Sequence, residues 1–215
     1  MKRVGKLFSE VILEQSKVLS EYLKDFSDCL DHQAAELDRF YALIEKCGAI
    51  HLYGKGRTAN SAISLALRLK HFGYNVWFIG DVVKERIKRG DLVILFSGSG
   101  ETSEVVTVAK RSKQDGAKVV AITSYRKSTL GKYSDLIILL PGGLEKSKGW
   151  EYLEAQIAPQ TKRDQLFYGG GEFETVAYLF QETLVSALGK YKKIPCSIVF
   201  KEHEHDEVME DKENA

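Results

Sequence analysis

Five short apolar runs, at residues 49–53, 76–79, 92–96, 119–123 and 136–140, constrain this chain more than any other feature. Each is too short for a buried helix and nearly continuous in apolar character, the pattern of a strand buried on both faces. Between them lie stretches with helical spacing, at residues 60–71 and 103–114 and a shorter one at 129–132. Strands that alternate with helices imply right-handed βαβ crossovers and a parallel sheet with helices on both faces. The expected class is α/β, with three layers around a five-stranded parallel sheet.

The flanks read as helices. Residues 7–46 carry two apolar stripes, Val11, Val18, Tyr22 and Phe26 in one and Leu37, Tyr41 and Ile44 in the other. Ser27 and Asp28 offer a capping-type break between them, and Gly48 a stop after the second. Residues 173–191 regain helical spacing through Val176, Phe180, Leu184 and Leu188, and Pro195 marks the end of this long C-terminal helix. The stretch 142–171, with Trp150, Pro159 and three consecutive glycines from Gly169, reads as a long loop, and loops of that length usually serve function or lack order. From Glu202 onward seven acidic residues and almost no apolar ones predict a frayed tail. Residues 1–197 are expected to form one domain, followed by an acidic tail at 198–215.

Charge excludes several classes of partner. Lysine plus arginine total 31 against 30 acidic residues, a net charge of +1, so no global field attracts nucleic acid or an anionic membrane. No helix-turn-helix segment is evident, and the apolar runs fall far short of the ~20 residues a membrane span needs. The segment after Met1 has no unbroken apolar core of a signal peptide. Cys29, Cys47 and Cys196 are odd in number, widely spaced and without a CxxC pair, which argues against disulfides and a zinc site. A cytoplasmic protein without a metal is expected, and any anion it binds must be held locally.

Two glycine-rich turns could do this, each leaving a strand and opening a helix. The first is Gly54-Lys55-Gly56-Arg57-Thr58, where Gly54 and Gly56 let the backbone approach an anion and Lys55 and Arg57 add formal charge. Its bland alternative is a turn that needs glycine only for positive φ. The second is Ser97-Gly98-Ser99-Gly100-Glu101-Thr102, rich in short donors suited to phosphate, with a capping turn as its alternative. Both sit at the carboxyl ends of expected parallel strands, where open α/β sheets bind ligands.

With these motifs the chain resembles the sugar isomerase (SIS) domain family, and within it the 6-phospho-3-hexuloisomerase subfamily, over residues 50–190. The resemblance rests on the two turns, on Leu67-Arg68-Leu69-Lys70-His71-Phe72-Gly73-Tyr74, on Gly90-Asp91-Leu92-Val93-Ile94 and on Phe173-Glu174. It implies a flavodoxin-like sheet, a homotetramer with sites near subunit boundaries, and conversion of 3-hexulose 6-phosphate to fructose 6-phosphate with no metal or other cofactor. Ser97 to Thr102 would hold the phosphate, Thr58 would keep the hydroxyl of the family's glycine-arginine-serine motif beside Gly56 and Arg57, and Glu174 would accept the proton. His203, with His205 as neighbour, is the positional match to a histidine near the family's C-terminus and would shuttle protons between oxygens. The chain departs from the family in its lead-in Gly170-Gly171-Glu172-Phe173-Glu174 and in a longer loop before it. An isomerase of another phosphosugar, such as a heptose or pentose phosphate, and a noncatalytic phosphosugar sensor remain alternatives.

Overall fold

A computed structural model of the chain describes residues 7–142, 171–195 and 197. The elements run α1 (Phe8–Asp31), α2 (Ala34–Lys46), β1 (Ile50–Gly54), α3 (Arg57–His71), β2 (Val76–Phe78), β3 (Leu92–Phe96), α4 (Ser103–Gln114), β4 (Lys118–Thr123), α5 (Thr129–Lys132), β5 (Leu136–Leu139) and α6 (Glu172–Tyr191). The five strands form one sheet in the order β2-β1-β3-β4-β5, every pair parallel.

The period-2 pleat divides the strand side chains between two cores. Ile50, Leu52, Ile94, Phe96, Val120 and Ile122 face α1, α2, α3 and α6. Val93, Leu95, Val119 and Ala121 face α4 and α5. All five residues of β3 are fully buried, which is why that run reads as unbroken apolar sequence. Each such side chain contributes roughly 1.5–3 kcal/mol through burial, so Ile94→Ala should cost about 2–5 kcal/mol. From β1 the chain steps outward through α3 to β2. It then crosses back to β3 and steps the other way to β4 and β5. This reversal leaves a crevice at the carboxyl ends of β1 and β3, the switch point of a doubly wound sheet.

One expected boundary is wrong. α1 does not break at Ser27 and Asp28 but continues to Asp31, and the chain turns at His32 and Gln33. Ser27 and Asp28 lie on the polar side of α1, while Phe26 and Leu30 carry its apolar stripe on into the core. The turn is fixed by Gln33, a buried amide that donates to the carbonyls of Cys29 and Leu139 and accepts from the Leu139 N–H. It ties the α1–α2 corner to β5.

The amino end of the sheet is closed by carboxylates with full sets of donors. Asp91 meets His51 Nε2 at 3.1 Å and accepts from the Lys88 N–H. Asp135 accepts from Lys113, Lys118 and the Val119 N–H. Burial works against the ionised form of Asp135, but these donors outweigh it and hold the carboxyl below its ordinary value. Among the described residues no helix is long and apolar enough to cross a membrane.

Candidate functional site

The first turn is compact because Gly54 admits no side chain: a Cβ there would lie 2.7 Å from the Thr58 carbonyl oxygen. Gly56 precedes α3 with φ 64°, in the left-handed region that favours glycine. Thr58 is buried, and its hydroxyl donates to the Lys55 carbonyl at 2.9 Å while accepting the Lys55 N–H at 3.2 Å. That hydroxyl closes the turn. The Lys55 ammonium reaches across to Glu104 in the first turn of α4, at 2.9 Å, and this hydrogen bond holds it above the ordinary lysine value.

The second turn is a nest of short donors. Ser97 Oγ lies 3.0 Å from Thr102 Oγ1 and accepts the Gly100 N–H, and Ser99 Oγ accepts the Glu101 N–H. Ser97 and Ser99 are buried, and Thr102 is the N-terminal flanking residue of α4. The N–H groups in the first turn of α4 have no partner within the helix, so an anion seated here meets them together with the hydroxyls. The Glu101 carboxylate, in the same turn, accepts the Thr129 N–H at 2.7 Å and fixes the start of α5. The carboxyl end of β4 backs the turn, since the Gly98 carbonyl accepts from the Ser124 N–H and from Thr123 Oγ1. Gly100, at φ 67°, passes so close to Ser128 that any side chain would collide with it.

Helix α6 completes the crevice. A Cβ on Gly98 would lie 2.8 Å from the Phe173 ring, so the second residue of α6 packs directly on the cradle. Glu174 then stands beside Arg57, with an oxygen 3.5 Å from the guanidinium. On the opposite side of the same turn Glu172 is only 4% exposed, close to Gly142, and neither of its oxygens has a hydrogen-bond partner among the described residues.

Three segments far apart in sequence therefore meet. Gly56, Arg57 and Thr58 come from the first turn, Ser97, Gly98, Ser99, Gly100 and Thr102 from the second, and Glu174 from α6. His203 and His205 lie outside the described residues, as do residues 143–170 of the expected long loop and the 198–215 tail. Sequence reasoning missed Phe173 as the contact that sets α6 on the cradle, and Thr123 and Ser128 as its backing. A polar residue at the carboxyl end of a third apolar strand is the signal that could have found Thr123.

A flavodoxin-ordered parallel sheet with a serine- and glycine-rich turn at its switch point, and a C-terminal helix packed on that turn, define a doubly wound α/β domain. The SIS domain model matches residues 43–158, and the chain belongs to the SIS domain family. It is 31% identical over 189 residues to a Bacillus subtilis protein named 3-hexulose-6-phosphate isomerase, covering 86% of this chain and 96% of that one. A Methanococcus jannaschii crystal structure, described as inferring a molecular function of 3-hexulose-6-phosphate isomerase, is similar with a TM-score of 0.70 and 28% identity over 87% of this chain and 96% of that one. The Vibrio vulnificus NanR protein, complexed with ManNAc-6P, shares the fold, with a TM-score of 0.66 and 20% identity over 91% of this chain and 71% of that one.

Proposed function

We propose that this chain is a phosphosugar isomerase that interconverts fructose 6-phosphate and 3-hexulose 6-phosphate through a 2,3-enediolate. The observation that carries the reading is the placement of Glu174 beside Arg57, on the helix whose Phe173 packs against Gly98 of the serine- and glycine-rich turn. The relatives of about 30% identity named 3-hexulose-6-phosphate isomerase support the choice of substrate.

Ser97, Ser99 and Thr102, with the first turn of α4, hold the phosphate; Gly98 and Gly100 let it approach the backbone. Gly56 and Thr58 keep the facing turn closed, and Glu101 holds the cradle in place from behind through Thr129. Glu174 removes the proton from C3 of fructose 6-phosphate, and the electron pair of that C–H bond moves into the enediolate. Return of a proton at C2, with transfer of a hydroxyl proton from O3 to O2, leaves the carbonyl at C3. Arg57 offsets the negative charge that develops on the enediolate oxygens. His203 carries the proton between those oxygens, and the working form is a homotetramer.

The test pairs turnover with binding. Wild-type protein should convert fructose 6-phosphate to 3-hexulose 6-phosphate, followed by NMR, and Glu174→Gln should lose that conversion while calorimetry still registers sugar-phosphate binding. Binding without conversion in the wild type would sink the proposed reaction.

A further inference from the structure

Charge in the crevice is paired off. Arg57 stands against Glu174 on the α6 side, and Lys55 reaches Glu104 on the α4 side at 2.9 Å. The second pair contributes little to the fold, because its side chains are 55% and 51% exposed, where water and salt weaken an ion pair. Its position says more than its strength.

Gly54 pairs with Phe96 in the β1–β3 register, so Lys55 and Ser97 are the next residues on two neighbouring strands, roughly 5 Å apart. At its far end the lysine side chain meets Glu104, two residues beyond Thr102. Lys55 therefore starts beside the first hydroxyl of the serine-rich turn and ends at the first turn of α4, whose N–H groups have no partner within the helix. The backbone that carries it is held, since the Thr58 hydroxyl binds both the Lys55 carbonyl and the Lys55 N–H. The side chain has room to swing: Glu104 borders an open hollow lined by Tyr53, Ile79, Ser103, Thr107 and Val108, so ammonium and carboxylate can part without displacing packed atoms. A carboxylate is ordinary in a first helical turn. One that also holds a cation beside an anion site governs how much of that cation's charge a ligand receives.

We propose that Lys55 is a counter-ion for the phosphate group of the ligand, and that Glu104 holds it until a phosphate monoester takes the carboxylate's place. The inference rests on the phosphate role proposed above for Ser97 to Thr102, and not on the isomerisation. The ammonium exchanges one anionic partner for another, with no covalent change. A phosphate monoester carries about −1.5 to −2 charges at neutral pH and several strong acceptor oxygens, so it out-competes a single carboxylate. A sugar without phosphate offers no such partner and leaves the pair closed.

Isothermal titration calorimetry of the full chain with inorganic phosphate and with fructose 6-phosphate tests the exchange. Lys55→Met should weaken both affinities about 10-fold, as expected for loss of a hydrogen bond to a charged group, and Lys55→Arg should restore most of the loss. Glu104→Gln should tighten both about 3-fold, on the scale of an exposed ion pair, and that gain should vanish when Lys55→Met is also present. Opposite signs are the signature, because a pair that merely ties the two turns together would weaken binding whichever partner is removed. Weaker binding in both variants, no change in either, or a Glu104→Gln gain that persists without Lys55 overturns the inference. A protein that shows the opposite signs yet leaves fructose 6-phosphate unconverted keeps the counter-ion and loses the proposed reaction. Wild type that binds neither ligand overturns the cradle and the counter-ion together.

Discussion

Glu172 and Glu174 stand two residues apart at the start of α6 and face roughly opposite ways, about 200° apart around the helix. Glu172 is buried beside Gly142, and among the described residues neither oxygen has a partner. Glu174 is partly exposed in the crevice beside Arg57, on a helix that Phe173 seats against Gly98. Both carboxylates share the helix terminus, so the helix dipole cannot distinguish them. Access and a charged neighbour do. A buried carboxylate without donors is a cost to the fold, whereas an accessible one beside a guanidinium is suited to act on a ligand, the role proposed here for Glu174.

The sharpest test of the comparison is Glu174→Gln, expected to lower kcat by about 10²–10⁴-fold, the range for loss of a positioned general base. Gly98→Ala attacks the same carboxylate indirectly. Its methyl meets the Phe173 ring, so α6 must shift. A misplacement near 1 Å can cost on the order of 100-fold in turnover, and overpacking about 1–3 kcal/mol of stability. Steady-state kinetics with thermal unfolding would separate the two effects, and unchanged values in both would remove Phe173 from its positioning role.

Replacing Ser99 and Thr102 together by alanine should weaken sugar-phosphate binding about 10- to 100-fold, as expected for loss of hydrogen bonds to a charged group. Calorimetry with inorganic phosphate and with fructose 6-phosphate reads this directly, and equal affinities in variant and wild type would discard the cradle. Glu172→Leu should act in the other direction. Removing a buried carboxylate that has no partner among the described residues should raise stability by about 1–3 kcal/mol, seen in denaturant titration, with turnover little changed. A large loss of turnover would make Glu172 the functional carboxylate of the pair.

The smallest effect belongs to a third carboxylate, Glu45, which shows what a fully served one looks like. Burial works against its ionised form, but hydrogen bonds from Tyr74 and Lys192 outweigh it and hold the carboxyl below its ordinary value. The same cluster pushes Tyr74 up to about 12, through burial first and then its bond to Glu45. The depressed folded value of Glu45 gives stability that is complete above the unfolded carboxylate range, about pH 4, and is lost as pH falls through the folded value. Glu45→Gln should flatten that acid limb slightly in pH-dependent unfolding, and an unchanged limb would remove the cluster from the account.

The sheet was legible in sequence because strands buried on both faces leave little room for polar residues, and β3 emerged with its bounds intact. Both glycine-rich turns were legible for a local reason: their glycines and hydroxyls follow strands directly. The α1–α2 boundary was not, because Ser27 and Asp28 look like a cap but lie on the solvent side of a helix whose apolar stripe continues past them. Nor were the contacts of Gly98 with Phe173 and of Arg57 with Glu174. Each joins residues more than seventy positions apart, and no local pattern records such a meeting. Glu101 shows the reverse case, a residue inside a local motif whose side chain serves a distant backbone N–H.

The central claim is that Glu174 takes a proton from a sugar phosphate held in the cradle. Incubating the protein with fructose 6-phosphate in heavy water and following the C3 position by NMR tests it most directly. The account predicts deuterium at C3 with wild type and none above background with Glu174→Gln. Exchange that survives in the variant, or none in wild type that demonstrably binds the sugar, would contradict it.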